Sequence, residues 1–156
     1  KRVEKLLKEF DANQKVITLE SPARTALEAA SSLGCEAGSI VKSLLFKAEK
    51  EYILGLIAGD KKASLYKIKK ILKKKDVSMS SAEEVKNITG FTIGGVSPIG
   101  HLKKINILID SSLKRFNYLY AAAGHPNSVF KISFEDLNKI TNSSILDIIE
   151  WENQNS

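Results

Sequence analysis

Apolar positions recur at two different periods along this chain, and the switches between them outline its elements. Val3, Leu6, Leu7 and Phe10 fall at helical spacing and predict a short docking helix over residues 1–10. KVITLE, residues 15–20, alternates as a strand does. Thr25 and Glu28 then form a T-x-x-E capping box that opens an alanine-rich helix stopping at Gly34. Two apolar runs, IVKSLLFKA (40–48) and EYILGLIAG (51–59), lie either side of a polar EKE and read as an antiparallel strand pair. Leu65, Ile68, Ile71 and Leu72 make one apolar stripe on a lysine-rich helix. Ser81 and Glu84 cap a short helix ending in Gly90. FTIGGVSPIG, residues 91–100, holds three glycines and a proline, too much punctuation for a regular element, and reads as a shaped loop. INILID (105–110) is a strand ending at an acid, and YLYAAAG (118–124) runs into the turn GHPNS before the strand VFKIS. Ser133 with Asp136 caps the helix FEDLNKIT, and ILDIIEW (145–151) reads as a last strand. Short strands interleaved irregularly with helices predict an α+β fold, one domain over residues 1–156, with a mixed, barrel-like β-sheet surrounded by helices.

Composition narrows the class of molecule. At 156 residues and 43% hydrophobic, the chain can bury a core of its own. No apolar stretch approaches the ~20 residues that span a bilayer. The first residues, KRVEKLLKEFD, are mixed in charge and unlike a signal peptide, so a soluble, cytoplasmic protein with no membrane partner is expected. The chain does not begin with Met, and further residues before Lys1 are expected in the natural protein. Cys35 is the only cysteine, which excludes an internal disulfide and a cysteine cage, and two histidines are too few for the usual zinc constellations. No metal or other cofactor is expected.

Charge is more telling. The 24 Lys and Arg against 18 Asp and Glu leave +6, and residues 61–75, KKASLYKIKKILKKK, carry eight of the lysines and no acid. Such a block suits a polyanionic partner through counterion release, and equally suits a solvated helix face.

Three local features are candidates for chemistry. Lys42 stands inside the apolar run IVKSLLF, where an ammonium must reach the strand end, meet a counter-charge or serve an anionic ligand. In Gly94-Gly95-Val96-Ser97-Pro98, glycines let backbone N–H groups approach an anionic or carbonyl oxygen while proline stiffens the loop. In Gly124-His125-Pro126 the imidazole projects from a tight turn, as a base, a donor, a stacking partner or an ordinary surface residue. Thr25 is accounted for as a cap and stays a candidate pocket residue. His101, beside Lys103 and Lys104, extends the basic surface, and Cys35 reads as structural. There is no G-x-S-x-G elbow, no P-loop and no paired histidines at metal spacing. An enzyme of this sequence relies on positioning and backbone donors.

Taken in order, ARTALEAASSLGCEAGSIVKSLLF, IGGVSPIG, ILIDSSL and AAAGHPNSVFKIS resemble the YbaK/EbsC family, related to the editing domain inserted in bacterial prolyl-tRNA synthetases. The similarity runs from about Ser21 to Ser133. It implies a trans-acting deacylase that hydrolyses the ester of mischarged tRNA, with alanine, cysteine, serine and threonine as candidate amino acids. By the resemblance, Lys42 holds the terminal nucleotide, and Gly94 and Gly95 position the aminoacyl carbonyl with Val96, Ser97 and Pro98. Gly124 and His125 form the later turn. Lys61, Lys62, Lys67, Lys70 and Lys74 are expected to meet the tRNA backbone, and an aminoacyl-tRNA synthetase is a candidate partner. A non-catalytic module that grips RNA or an aminoacyl ligand, and a general nucleic-acid binder working through its lysines, are the competing readings.

Overall fold

The computed structural model describes residues 2–23 and 25–151. The amphipathic N-terminal pattern folds as α1 (Arg2–Phe10), which turns Val3 and Leu7 inward. β1 (Val16–Thr18) follows, then α2 (Ala26–Leu33), whose cap is Thr25: its hydroxyl accepts the Glu28 N–H at 3.1 Å. Gly34 closes α2 in the left-handed conformation (φ 68°), as the sequence predicts. β2 (Val41–Ala48) and β3 (Glu51–Ala58) are the expected antiparallel pair, in register from Val41↔Ala58 to Ala48↔Glu51. The remaining elements are α3 (Leu65–Leu72), β4 (Val77–Met79), α4 (Ala82–Thr89), β5 (Asn106–Asp110), β6 (Leu119–His125), β7 (Ser128–Ile132), α5 (Phe134–Thr141) and β8 (Ser144–Leu146).

The strands make two sheets, not a closed barrel. One is antiparallel, in the order β1-β7-β6; the other is mixed, in the order β4-β2-β3-β5-β8, with β5 parallel to both β3 and β8. The barrel-like expectation is corrected here: the sheets meet through a bridge between Ile40 and Tyr120 and otherwise face each other across a core. That core takes Leu45, Leu54 and Leu56 from the large sheet, Leu119, Ala121 and Phe130 from the small one, and Leu7, Val85 and Leu137 from helices. The other face of the large sheet carries Phe46, Ile53 and Ile57 beneath Ile68 of α3. With both faces of β3 covered, its unbroken apolar run is explained.

Three further expectations change. α3 is shorter than its lysine-rich segment, because Ser64 caps its start and Lys73 turns left-handed (φ 57°) to end it. Of the predicted stripe only Ile68 is fully buried; Leu65 and Ile71 each keep 37% of their surface. The expected strand 145–151 is reduced to β8, since the chain turns so that the buried Asp110 carboxylate accepts the Ile148 N–H at 2.8 Å. Among the described residues no helix is long and apolar enough to cross a membrane.

Candidate functional site

β2 is paired along its length by β3, but β4 meets its other edge only at Phe46–Ala48. The Ser80 N–H continues that contact to the Leu45 carbonyl at 3.0 Å, and Ile40 bridges Tyr120 at the opposite end. Between these two contacts the edge of β2 lines a cavity of about 550 Å³. Its exposed wall residues, among them Leu27, Met79, Ile93, Gly94 and His125, mark the mouth; the buried Leu45, Ser80, Val85, Val96 and Val129 mark the deep end. Because the cavity straddles a strand edge, side chains from both faces of β2 reach it.

Lys42 lies on the same strand face as Leu44 and Phe46, and its half-buried side chain lines the cavity. The ammonium donates to the Lys61 carbonyl, in the segment that follows β3. Burial lowers its pKa from the ordinary lysine value; the Asp60 carboxylate opposes that shift and the Lys62 charge adds to it. Asp60 is itself held by Arg115 through two hydrogen bonds of 3.0 and 2.8 Å. The site therefore holds a partly desolvated cation with one backbone acceptor and a nearby carboxylate, able to accept an anion.

The glycine loop and the histidine turn are brought together. His125 ends β6, pairs with Ser128 across Pro126 and Asn127, and is exposed at the cavity mouth. The turn is tied to the chain before α2, its Asn127 carbonyl accepting the Leu19 N–H at 2.7 Å and its Pro126 carbonyl the Ala23 N–H at 3.1 Å. Gly95 packs against it so closely that a Cβ there would lie 3.1 Å from the His125 carbonyl carbon and the Pro126 nitrogen. Gly94, at φ 96°, is open to solvent on the cavity wall. The Gly95 N–H, however, donates to the Thr92 carbonyl at 2.9 Å and closes the turn. It is thus not a free donor, whereas the Gly94 and Val96 N–H groups have no partner among the described residues.

Ser97 and Pro98, expected against a ligand, are buried and are not among the residues that line the cavity. The Ser97 hydroxyl accepts the Ile99 N–H at 3.2 Å, and its carbonyl lies 2.7 Å from His101 Nε2. His101 is accordingly a pin for this loop as well as a wall residue of the basic depression beside α1; its ring meets Phe91 edge-on, and burial lowers its pKa. Gly124 (φ 98°) faces Phe91, a Cβ there falling 2.9 Å from the ring, and also lies off the cavity wall. Thr25 is both cap and cavity residue.

The lysines divide. Lys67 pairs with Asp147 at 2.9 Å, lies 4.3 Å from the Trp151 ring centre and keeps only 10% of its side-chain surface. Lys74 pairs with Glu51 at 2.7 Å. Both are already engaged within the protein. Lys62 is exposed close enough to Lys42 to act on its charge, and Lys70 lies over Tyr66 on the exposed side of α3. A second depression of about 480 Å³, between α1 and residues 100–105, gathers Arg2, Lys5, Lys103 and Lys104 but none of the expected site residues.

Sequence reasoning passed over Ser43 and Ser80. Both line the cavity, and both carry a buried hydroxyl with no hydrogen-bond partner among the described residues. A polar residue at a core-facing strand position was the available signal for Ser43; the run SMSS offered none for Ser80.

A family model described as the aminoacyl-tRNA editing domain matches residues 20–140. The chain is 31% identical over 147 residues to the uncharacterized protein YwhH of Bacillus subtilis, covering 92% of this chain and 93% of that one. It is also 31% identical over 131 residues, 78% of its length, to a proline–tRNA ligase of Caldicellulosiruptor bescii, of which the match spans only 23%. A crystal structure described as a proposed trans-editing enzyme for prolyl tRNA synthetase superposes with a TM-score of 0.91 at 34% identity, covering 96% of each chain. By this match and these likenesses, the chain belongs to the aminoacyl-tRNA editing domain family.

Proposed function

We propose that the protein is an aminoacyl-tRNA deacylase, acting in trans in the cytoplasm on tRNA charged with the wrong small amino acid. The observation that carries this reading is the convergence of Lys42, the Gly94–Val96 turn and the His125 turn on one cavity. The Lys42 ammonium takes a phosphate of the terminal nucleotide, which restores the charge that burial disfavours. The apolar rim of Leu27, Met79 and Ile93, each more than half exposed, receives the base. The Gly94 and Val96 N–H groups hold the aminoacyl carbonyl oxygen as water attacks its carbon. The tetrahedral intermediate then expels the ribose oxygen, releasing free amino acid and intact tRNA; the neighbouring ribose hydroxyl orients the water, and His125 at the mouth steadies the ribose.

The match to a segment of proline–tRNA ligases supports tRNA charged by that enzyme as substrate and the synthetase as partner. The test is ester loss from one tRNA charged in turn with alanine, cysteine, serine and threonine. At least one ester is expected to disappear faster than in buffer, and Lys42→Ala should cut kcat/KM about 10- to 100-fold, the worth of a charge-assisted hydrogen bond. Buffer-level loss of every ester, with the charged tRNA still bound, would make the protein a binding module instead.

A further inference from the structure

Trp151 keeps 69% of its surface and Tyr66 55%, yet each ring is braced by a cation. Their centres lie 6.1 Å apart, with planes tilted by 48°. The Lys67 ammonium, nearly buried and paired with Asp147, lies 4.3 Å from the centre of the indole, and that of Lys70 lies 4.9 Å from the centre of Tyr66. One face of the indole therefore meets a held cation, and its exposed surface belongs to the other face and the edges. The surroundings are basic. Lys62, just ahead of α3, and Lys70 and Lys73 along it are exposed, and α3 itself carries no acid. Asp147 is already paired, and Glu150 is the residue before Trp151. Such a surface suits a polyanion.

The rings are also continuous with the cavity. Ala63 bridges Ile149, the Lys62 carbonyl accepts the Glu150 N–H at 2.8 Å, and the Ser64 N–H donates to the Ile148 carbonyl at 2.8 Å. This antiparallel pairing carries Trp151 up to Lys61, whose carbonyl accepts the Lys42 ammonium. Lys42 shares its strand face with Phe46, which packs beneath Ile68 of α3, so Lys42 and the two rings lie on one side of the large sheet. We propose that Trp151 and Tyr66 form a stacking platform for an unpaired base of the tRNA 3′ end, upstream of the nucleotide whose phosphate Lys42 takes. The inference rests on the deacylase reading for the identity of the RNA. Every base offers a π-face to such a ring, while Lys62 and Lys70 neutralise the strand that carries it. A paired stem has no free face to offer, because its bases stack on one another.

Trp151 is the one tryptophan in the sequence, so its fluorescence reports on this surface directly. The full chain is titrated with an uncharged RNA hairpin that carries the unpaired 3′ tail of a tRNA acceptor end, and with the same hairpin cut blunt. The tailed hairpin is expected to quench the indole and the blunt one to leave it unchanged. Trp151→Ala should weaken binding of the tailed hairpin about tenfold, and by the same factor across a salt series, because stacking releases no counterions. Trp151→Phe keeps a smaller ring and should lose roughly threefold; it takes the place of the alanine variant if that one does not fold. Equal quenching by both hairpins, no quenching at saturation, or wild-type affinity in the variant measured overturns the proposal. Quenching by a proline–tRNA ligase and not by the tailed RNA also overturns it, and makes the surface a protein-docking site. These measurements use no ester, so their failure leaves the deacylase reading intact, and tail-dependent quenching upholds the platform even where every ester survives.

Discussion

His101 shows how far one residue's meaning depends on its surroundings. Shortly before Lys103 and Lys104 it reads as surface charge, yet its ring is half-buried, bonded to the Ser97 carbonyl and set against Phe91. Burial lowers its pKa, the Ser97 carbonyl opposes that shift, and the Arg2 charge adds to it. The sign follows from linkage: the unfolded chain takes up the proton first as pH falls. Stability is therefore complete above the ordinary imidazole pKa of about 6.5 and declines below it. Urea midpoints for the wild type are expected to drop more than those of His101→Gln between neutral pH and about 5.5, and a wild-type midpoint that holds as well as the variant's refutes this role. Lys42 is shifted in the same direction, burial again being the main cause, with the Asp60 carboxylate opposing it and the Lys62 charge adding to it. Phosphate held by its ammonium should be released as pH rises through that lowered value, earlier than an exposed lysine would release it.

At the scale of elements, the glycine loop and the histidine turn act as one piece. Gly95 is the point of contact, and its lack of a side chain is what lets the loop backbone lie on the His125–Pro126 peptide. Gly95→Ala must push the turn by a few tenths of an ångström; a cost of about 1–3 kcal/mol is expected in thermal or urea unfolding, with deacylation reduced as the mouth distorts. Gly94→Ala meets open space, so its cost comes from backbone strain at φ 96° alone. Most elements were legible beforehand: the caps at Thr25, Ser81 and Ser133 and the β2–β3 pair lie where the sequence puts them. β4 was not, because three residues of mixed polarity acquire strand geometry only by pairing with β2.

The whole molecule carries +6, but its lysines are unequal partners for RNA. Lys62 and Lys70 are exposed, while Lys67 and Lys74 already neutralise Asp147 and Glu51. If tRNA lies along this side, Lys62→Ala and Lys70→Ala should each flatten the slope of log affinity against log salt by up to about one. Lys67→Ala should instead lower stability with little change in that slope, since it strips a partner from Asp147 and takes the cation from the Trp151 ring. Filter binding over a salt series distinguishes the two kinds of lysine; equal slopes for all variants would move tRNA to another face, such as the basic depression beside α1.

Local order in the chain was enough to determine helices, caps, the β2–β3 pair and the candidates Lys42, Gly94 and His125, because each depends on neighbours a few residues away. Tertiary structure decided the rest. It opened the edge of β2 between Ser80 and Tyr120, laid Gly95 on the His125–Pro126 peptide, and joined Lys67 to Asp147 across 80 residues. It also buried two serine hydroxyls, of Ser43 and Ser80, without partners among the described residues. Whether a donor is free, a charge paired or a hydroxyl satisfied depends on what distant segments bring beside it, and no periodicity in the chain records that.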